Sequence, residues 1–168
     1  MSYRRPAKFK RFSSTPSPLY HYTTANGADG IREIGHIKIS VNQRHAVYGP
    51  GVYMTSLNPY NNTIDIVKNN YGPSDGRIRS VEWVVYVDTD QLDKTKLKLV
   101  DLPEPNNRNI YLYPDIIPVL TSDIHNRSEL LDEFSKIEFV GQGPSIEKIP
   151  EPPMVIDYIC EQPYYRLA

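Results

Sequence analysis

The sequence has one cysteine, Cys160, and one tryptophan among its 168 residues. A single cysteine excludes an intrachain disulfide bond and a metal site built from cysteines. No stretch has the apolar length of a signal peptide or of a membrane-spanning helix, so we expect neither, and no contact with membranes. The composition, 39% hydrophobic and 23% charged, is that of a globular protein, and the length suits one domain. We expect a monomer.

Net charge is also nearly absent, because 19 Lys and Arg against 20 Asp and Glu leave −1. The distribution is nevertheless uneven. Five basic residues precede the first acid, Asp29, and these are Arg4, Arg5, Lys8, Lys10 and Arg11. Together with the Ser and Pro residues that follow, they predict a flexible basic leader over residues 1–18. The alternative is an arm that contacts the phosphates of nucleic acid or an anionic surface.

Tyrosine and proline are abundant, with 13 and 15 residues against four phenylalanines. Tyrosine combines an apolar ring with a polar end, which suits half-buried surfaces that face a ligand. Prolines favour short elements separated by many turns. We therefore predict an α+β domain over residues 19–145, with more strand than helix, and a proline-rich tail over residues 146–168.

Periodicity and turn residues locate the elements of this domain. Strands are predicted at residues 19–23, 37–40, 52–55, 81–87, 110–113 and 137–140. Three helices are predicted. The first covers residues 28–34, with Asn26 as its cap and Gly35 at its end. The second begins at residue 58 or at 61–63 and ends at Gly72, and the third covers residues 128–134. The strand at 81–87 is apolar on both faces, which predicts a central position in a sheet.

The sequence lacks the residue patterns of several common kinds of functional site. The three histidines His36, His45 and His125 have no metal-ligand spacing with each other or with acids, so no metal is expected. No Gly-x-Ser-x-Gly nucleophile elbow is present. The turn Tyr-Gly-Pro-Gly at residues 48–51 is not the glycine fingerprint of a Rossmann dinucleotide site.

Two motifs remain, and their order and spacing are informative. The first is Leu-Tyr-His-Tyr-Thr at residues 19–23, followed by a helix; the second is Tyr-Gly-Pro-Gly-Val-Tyr-Met-Thr at residues 48–55, also followed by a helix. Together they resemble the His-Tyr branch of the ADP-ribosyltransferase superfamily, which includes the poly-ADP-ribose polymerases and diphtheria toxin. The resemblance is closest to the small family named for its His-Tyr-Asp signature. It is specific over residues 19–56 and weaker to about residue 120.

The resemblance implies a split-sheet α+β domain that uses NAD⁺ as co-substrate without a metal. It implies mono-ADP-ribosyl transfer to a macromolecular acceptor, a protein in preference to nucleic acid, with release of nicotinamide. The protein would act in the cytoplasm or be delivered into the cytoplasm of a host. Two alternatives stay open: a catalytically weak module that binds NAD⁺ or ADP-ribose, and a transferase that acts on nucleic acid through the basic leader.

Site residues follow from the resemblance position by position. His21 corresponds to the histidine that hydrogen-bonds the adenosine ribose, and the backbone at Tyr22 and Thr23 to the segment that clamps the nicotinamide amide. Tyr53 corresponds to the tyrosine that stacks on the nicotinamide ring. Tyr71 is a candidate for the other face of that ring. In the turn before Tyr53, Gly51 allows the backbone to approach the ligand closely.

The third residue of the signature, an acid that binds the nicotinamide-side ribose, is ambiguous. Glu82 lies in Val-Glu-Trp-Val-Val-Tyr, which resembles the run that carries the acid in the polymerases, and we favour it as the third catalytic residue beside His21 and Tyr53. The spacing from Tyr53 is short, however. In the rival alignment the third strand is residues 110–113, the equivalent position is Asn109 or Ile110, and the nearest acid is Asp115.

Overall fold

The computed structural model describes residues 7–42, 45–73, 75–102 and 108–141. The strands are β1 (Phe9–Lys10), β2 (Leu19–Thr23), β3 (His36–Ile37), β4 (Val52–Met54), β5 (Trp83–Val87), β6 (Lys98–Val100), β7 (Tyr111–Tyr113), β8 (Ile117–Pro118) and β9 (Ile124–Asn126). The helices are α1 (Ala25–Ile34), α2 (Thr63–Tyr71) and α3 (Arg127–Gly141), with short 3₁₀ segments at Asp75–Val81, Thr89–Gln91 and Thr121–Asp123. The predicted α+β class is confirmed, but the expected excess of strand over helix is wrong, because among the described residues the three α-helices contain more residues than the nine strands.

The strands form three antiparallel sheets. One has the order β1-β6-β7-β4, the second β2-β5-β9, and the third pairs β3 with β8. A backbone bridge joins the first two sheets, because Tyr20 and Thr55 exchange hydrogen bonds of 2.8 and 2.9 Å. The signature strands β2 and β4 therefore run side by side, although they belong to different sheets.

The alternation of side chains along β2 explains how the helices pack. Leu19 points into the core cluster that also contains Ala28 and Ile31 of α1. Its neighbour Tyr20 lies in a second cluster, with Ile66 and Val67 of α2. Successive strand residues face opposite sides of a sheet, so β2 is covered on both faces. The central strand β5 is covered in the same way, and its predicted central position is confirmed.

The helix boundaries follow their capping residues. Thr24, rather than the predicted Asn26, caps α1, because its hydroxyl oxygen accepts a hydrogen bond of 3.0 Å from the amide of Gly27. Gly35 ends α1 with φ 78°, as its position predicts. At α2, Asn62 is the cap, which confirms the later of the two predicted starts.

Residues 137–140, predicted as a strand, are instead the end of α3, where Ile137 is 57% exposed. Within the predicted leader, Phe9 and Lys10 pair with β6, and Phe12 packs edge-on against Tyr111. Residues 1–6 and the predicted tail at 146–168 lie outside the described residues.

Gly51 illustrates a position that only glycine fits. Its φ is 153°, and a Cβ atom added there would lie 2.5 Å from Leu112 Cδ1 and 2.6 Å from the carbonyl oxygen of Tyr113. Both obstacles belong to β7, the strand next to β4. Close packing of β4 on β7 therefore requires a residue without a side chain at the start of β4.

Gly51→Ala should lower the free energy of unfolding by about 2–4 kcal/mol, from backbone strain together with overpacking. Gly30→Ala is the matched control. Gly30 is inside α1 and an added Cβ would meet nothing within 4 Å, so this change should stabilise the protein by about 0.5–1 kcal/mol. Urea unfolding of both variants tests the pair, and equal stabilities would contradict the packing argument.

Candidate active site

A cleft with two compartments opens beside β2 and β4. The first, about 390 Å³, contains Tyr48, Tyr53 and Ile110 in its wall. The second, about 510 Å³, runs along α1 past Gly27 and Gly30. Both volumes are in the range of sites for small ligands. Six residues line both compartments: His21, Tyr22, Ser40, His45, Tyr71 and Arg77.

The two signature side chains meet directly. His21 Nδ1 lies 2.8 Å from the backbone carbonyl oxygen of Tyr53. A carbonyl oxygen only accepts hydrogen bonds, so Nδ1 donates and must carry a proton. Burial lowers the pKa of His21, against the opposing effect of this hydrogen bond. The imidazole is therefore neutral near pH 7, and its Nε2 is a hydrogen-bond acceptor for a ligand.

The hydroxyl of Tyr53 holds the turn that precedes β4. It donates a hydrogen bond of 2.5 Å to the carbonyl of Gly49 and accepts one of 2.9 Å from the amide of Tyr48. Partial burial raises the pKa of Tyr53, so the phenol stays protonated. The hydroxyl is thus engaged with the backbone, which leaves the ring as the part of Tyr53 that can contact a ligand.

A polar network that the sequence did not predict fixes β4 and β7 to α2. The side-chain oxygen of Asn109 accepts hydrogen bonds from the Thr55 hydroxyl at 3.1 Å and from the Ser56 amide at 2.8 Å. Asn69 of α2 accepts from the Asn109 amide at 2.7 Å and donates to the Asn109 carbonyl at 3.1 Å. Such paired amides have no periodicity in the sequence, so only the fold reveals them.

Arg108 closes this network at the rim of the cleft. Its Nε donates to the carbonyl of Asn69 at 2.7 Å, and Nη2 donates to the carbonyl of Asn70 at 2.9 Å. Nη1 reaches the Tyr48 hydroxyl at 3.2 Å. Arg108 therefore binds the last carbonyls of α2, where a cation is favoured by the helix dipole, and connects them to the turn before β4.

The remaining predicted binding residues differ in whether they line the cleft. Tyr22 and Tyr71 line both compartments, and Thr23 lines the second. Tyr71 is 39% exposed; burial of part of the side chain raises its pKa. Gly51 is buried against β7 and is not among the described residues that line the cleft. The structure therefore shows a packing role for Gly51.

The structure does not bring Glu82 to the cleft. Glu82 is exposed at the start of β5, where its backbone carbonyl accepts a hydrogen bond of 2.9 Å from the Arg127 amide. The rival acid Asp115 is also exposed, and it pairs with Lys96 at 3.2 Å. Neither is among the described residues that line either compartment. Ile110 lies in the wall of the first compartment and is 4% exposed.

The strand order explains this outcome. The strand beside β4 is β7, with Tyr53 opposite Leu112 and Met54 opposite Tyr111. Ile110 directly precedes β7 and lies at the cleft end of that strand. By contrast, β5 pairs with β2 rather than with β4, and Glu82 just precedes Trp83, which pairs with Thr23.

Comparison with known families identifies the family of the chain. The model of the family described as HYD1 signature containing ADP-ribosyltransferase matches residues 19–112, more than half of the chain. The chain belongs to this family. The matched segment runs from β2 into β7 and contains His21, Tyr53, Glu82 and Ile110. No curated protein and no solved structure matches the chain.

None of the helices formed by the described residues has the length and apolar character needed to cross a membrane. No group of three or more His, Cys, Asp or Glu side chains among the described residues is arranged to hold a metal ion.

The lowered pKa of His21 predicts a dependence of stability on pH. Below the ordinary value of about 6.5, unfolded chains bind a proton at His21 that the folded protein does not bind, until the lower folded pKa is reached. This contribution to stability is therefore complete above about pH 6.5 and is lost as the pH falls below it. His21→Asn keeps a donor for the Tyr53 carbonyl but does not titrate. Thermal unfolding from pH 5 to 8 should show a smaller decline in the variant, and identical profiles would contradict the assignment.

Proposed function

We propose that the cleft binds NAD⁺ and that the protein transfers the ADP-ribose unit to one site on a macromolecular acceptor, a protein, with release of nicotinamide. The observation that carries this proposal is the direct contact of His21 with the Tyr53 backbone inside the segment matched by the family. This contact holds the neutral imidazole where the two compartments meet, next to the strand that carries the Tyr53 ring, in a cleft large enough for a nucleotide.

The two compartments suit the two halves of the dinucleotide. Tyr53 lines the first compartment, so we assign nicotinamide to it, where the ring offers stacking worth about 1 kcal/mol. Adenosine then extends into the second, along the glycines of α1. His21 borders both, and its Nε2 is available to accept a hydrogen bond from an adenosine ribose hydroxyl. In this assignment His21 acts through its neutral imidazole and Tyr53 through its ring, because the Tyr53 hydroxyl is bound to the backbone.

In the proposed reaction the bond between ribose C1′ and the nicotinamide nitrogen breaks, and its electron pair leaves with neutral nicotinamide. The ribose passes through an oxocarbenium-like state, as in glycoside hydrolysis. A nucleophilic atom of the acceptor then bonds to C1′ and loses its proton. The protein's contribution is to hold the nicotinamide and ribose in place while charge develops on the sugar.

We propose that Ile110 occupies the third position of the signature. It lies at the cleft end of β7, next to the strand that carries Tyr53, and the polar network at Asn109 fixes its backbone. An aliphatic side chain there offers no carboxylate to orient a ribose hydroxyl of a previously attached unit. This is consistent with transfer of a single ADP-ribose and no chain elongation.

A module that binds NAD⁺ or ADP-ribose without turnover is the second candidate. It is favoured by one observation: none of the described residues that line the first compartment is an acid. Release of free nicotinamide separates the two functions. A transferase releases it at least slowly from NAD⁺, whereas a binding module is stabilised by NAD⁺ against heat but releases none.

Substitutions at Tyr53 test the transferase directly. Tyr53→Ala should abolish nicotinamide release, because it removes the stacking ring. Tyr53→Phe keeps the ring but loses two hydrogen bonds to the turn, each worth about 0.5–1.5 kcal/mol, so we expect a raised KM with most of kcat retained.

Tyr113→Phe is the matched control for Tyr53→Phe. It removes a hydroxyl group that accepts a hydrogen bond from the Asp93 amide. Tyr113 is not among the described residues that line the cleft. It should reduce stability without changing KM for NAD⁺. Equal loss of kcat in Tyr53→Phe and Tyr53→Ala would contradict the stacking role.

The third position has its own test. Glu82→Gln and Asp115→Asn should each leave the rate of nicotinamide release within about twofold of the wild type, because neither carboxylate borders the cleft. Removal of one preorganised electrostatic contact in an active site typically costs on the order of 10²-fold in rate. A loss of that size in Glu82→Gln, measured in folded protein, would return Glu82 to the site and remove Ile110 from the third position.

A further inference from the structure

Arg77 has a position that neither the family signature nor the sequence motifs use. It lies in the 3₁₀ segment Asp75–Val81 that follows α2, and its side chain borders both compartments of the cleft. The other cations among the described lining residues divide between the compartments: Arg108 lines only the first and Lys38 only the second. Arg77 is therefore at the junction.

The guanidinium of Arg77 lies against an aromatic ring. Its central carbon is 5.2 Å from the centroid of the Tyr71 ring, a cation–π contact. The ion pairs of the described residues join other partners: Arg32 with Asp29, Lys94 with Asp90, and Lys96 with Asp115. A guanidinium that contacts a ring through its face can still donate from the N–H groups at its edge to a ligand.

The second arginine of the cleft is used differently. Arg108 donates hydrogen bonds to the carbonyls of Asn69 and Asn70 and to the Tyr48 hydroxyl. Three of its five N–H groups thus hold parts of the protein together. Arg108 therefore supports the wall of the first compartment, whereas Arg77 borders both compartments.

We propose that Arg77 binds the pyrophosphate of the dinucleotide. This inference rests on the proposed function, because nicotinamide in the first compartment and adenosine in the second put the linking phosphates at the junction. A planar guanidinium matches two phosphate oxygens with parallel hydrogen bonds, which are stronger than those between neutral groups. Arg77 is then a binding residue for the phosphates, and His21 binds at the adjoining ribose.

Calorimetric binding of ADP and of adenosine isolates the phosphate contribution. Wild-type protein should bind ADP at least about tenfold more tightly than adenosine, as expected for hydrogen bonds to a charged group. Arg77→Gln should remove most of that difference by weakening ADP alone, while adenosine binding stays within about twofold. Arg77→Lys should be intermediate, because an ammonium group is a point charge without the planar fork.

Arg79→Gln is the matched control, since Arg79 is an exposed residue of the same 3₁₀ segment that is not among the described lining residues. It removes the same charge and should leave both affinities unchanged. The proposal is overturned if wild-type protein does not prefer ADP, if Arg77→Gln weakens ADP and adenosine equally or neither, or if Arg79→Gln matches Arg77→Gln. Should Arg77→Gln not fold, Arg77→Lys gives the same comparison: a reduced preference for ADP supports the proposal, and an unchanged one overturns it.

Nicotinamide release by the wild type separates this inference from the proposed function. Preference for ADP that depends on Arg77, without nicotinamide release from NAD⁺, would support the phosphate contact and overturn the transferase. Nicotinamide release together with ADP binding that does not depend on Arg77 would do the reverse.

Discussion

The two hydrogen bonds between the backbones of Tyr20 and Thr55 couple β2 to β4, and the site depends on that coupling. One residue after Tyr20, His21 donates a hydrogen bond to the carbonyl of Tyr53, which lies two residues before Thr55. The imidazole is consequently fixed in one tautomer by the main chain of the neighbouring strand, without a carboxylate partner. Burial then keeps the ring neutral. The pairing of β2 with β4 thus sets which nitrogen of His21 carries the proton.

Elements with strong local patterns could be predicted from the sequence. The strand Leu19–Thr23, the central β5 and the glycine end of α1 each depend on a few adjacent residues, and the structure agrees. The sequence pattern does not identify the end of α3, because the four residues Ile-Glu-Phe-Val at 137–140 fit a strand as well as a continued helix. Strand β1 was missed because its partner, β6, lies about ninety residues away.

The third site position shows the limit of local patterns most clearly. Val-Glu-Trp-Val-Val-Tyr resembles the expected motif, but resemblance within one strand does not say which strand lies beside Tyr53. Sheet order supplies that information, and it arises from contacts between distant segments. The order β7-β4 puts Ile110 next to the strand that carries Tyr53, whereas β5, which follows Glu82, pairs with β2 and not with β4.

Polar contacts between neighbouring segments connect this order to the rest of the cleft. The Tyr53 hydroxyl holds the amide of Tyr48, and the Tyr48 hydroxyl contacts Arg108, which binds the final carbonyls of α2. Helix α2 ends at Gly72, shortly before the 3₁₀ segment that carries Arg77. These contacts link the turn before β4, through Arg108, to the end of α2. The Tyr53 ring and the helix end that precedes Arg77 are thus held by one chain of hydrogen bonds, so we expect loss of Arg108 to disturb both.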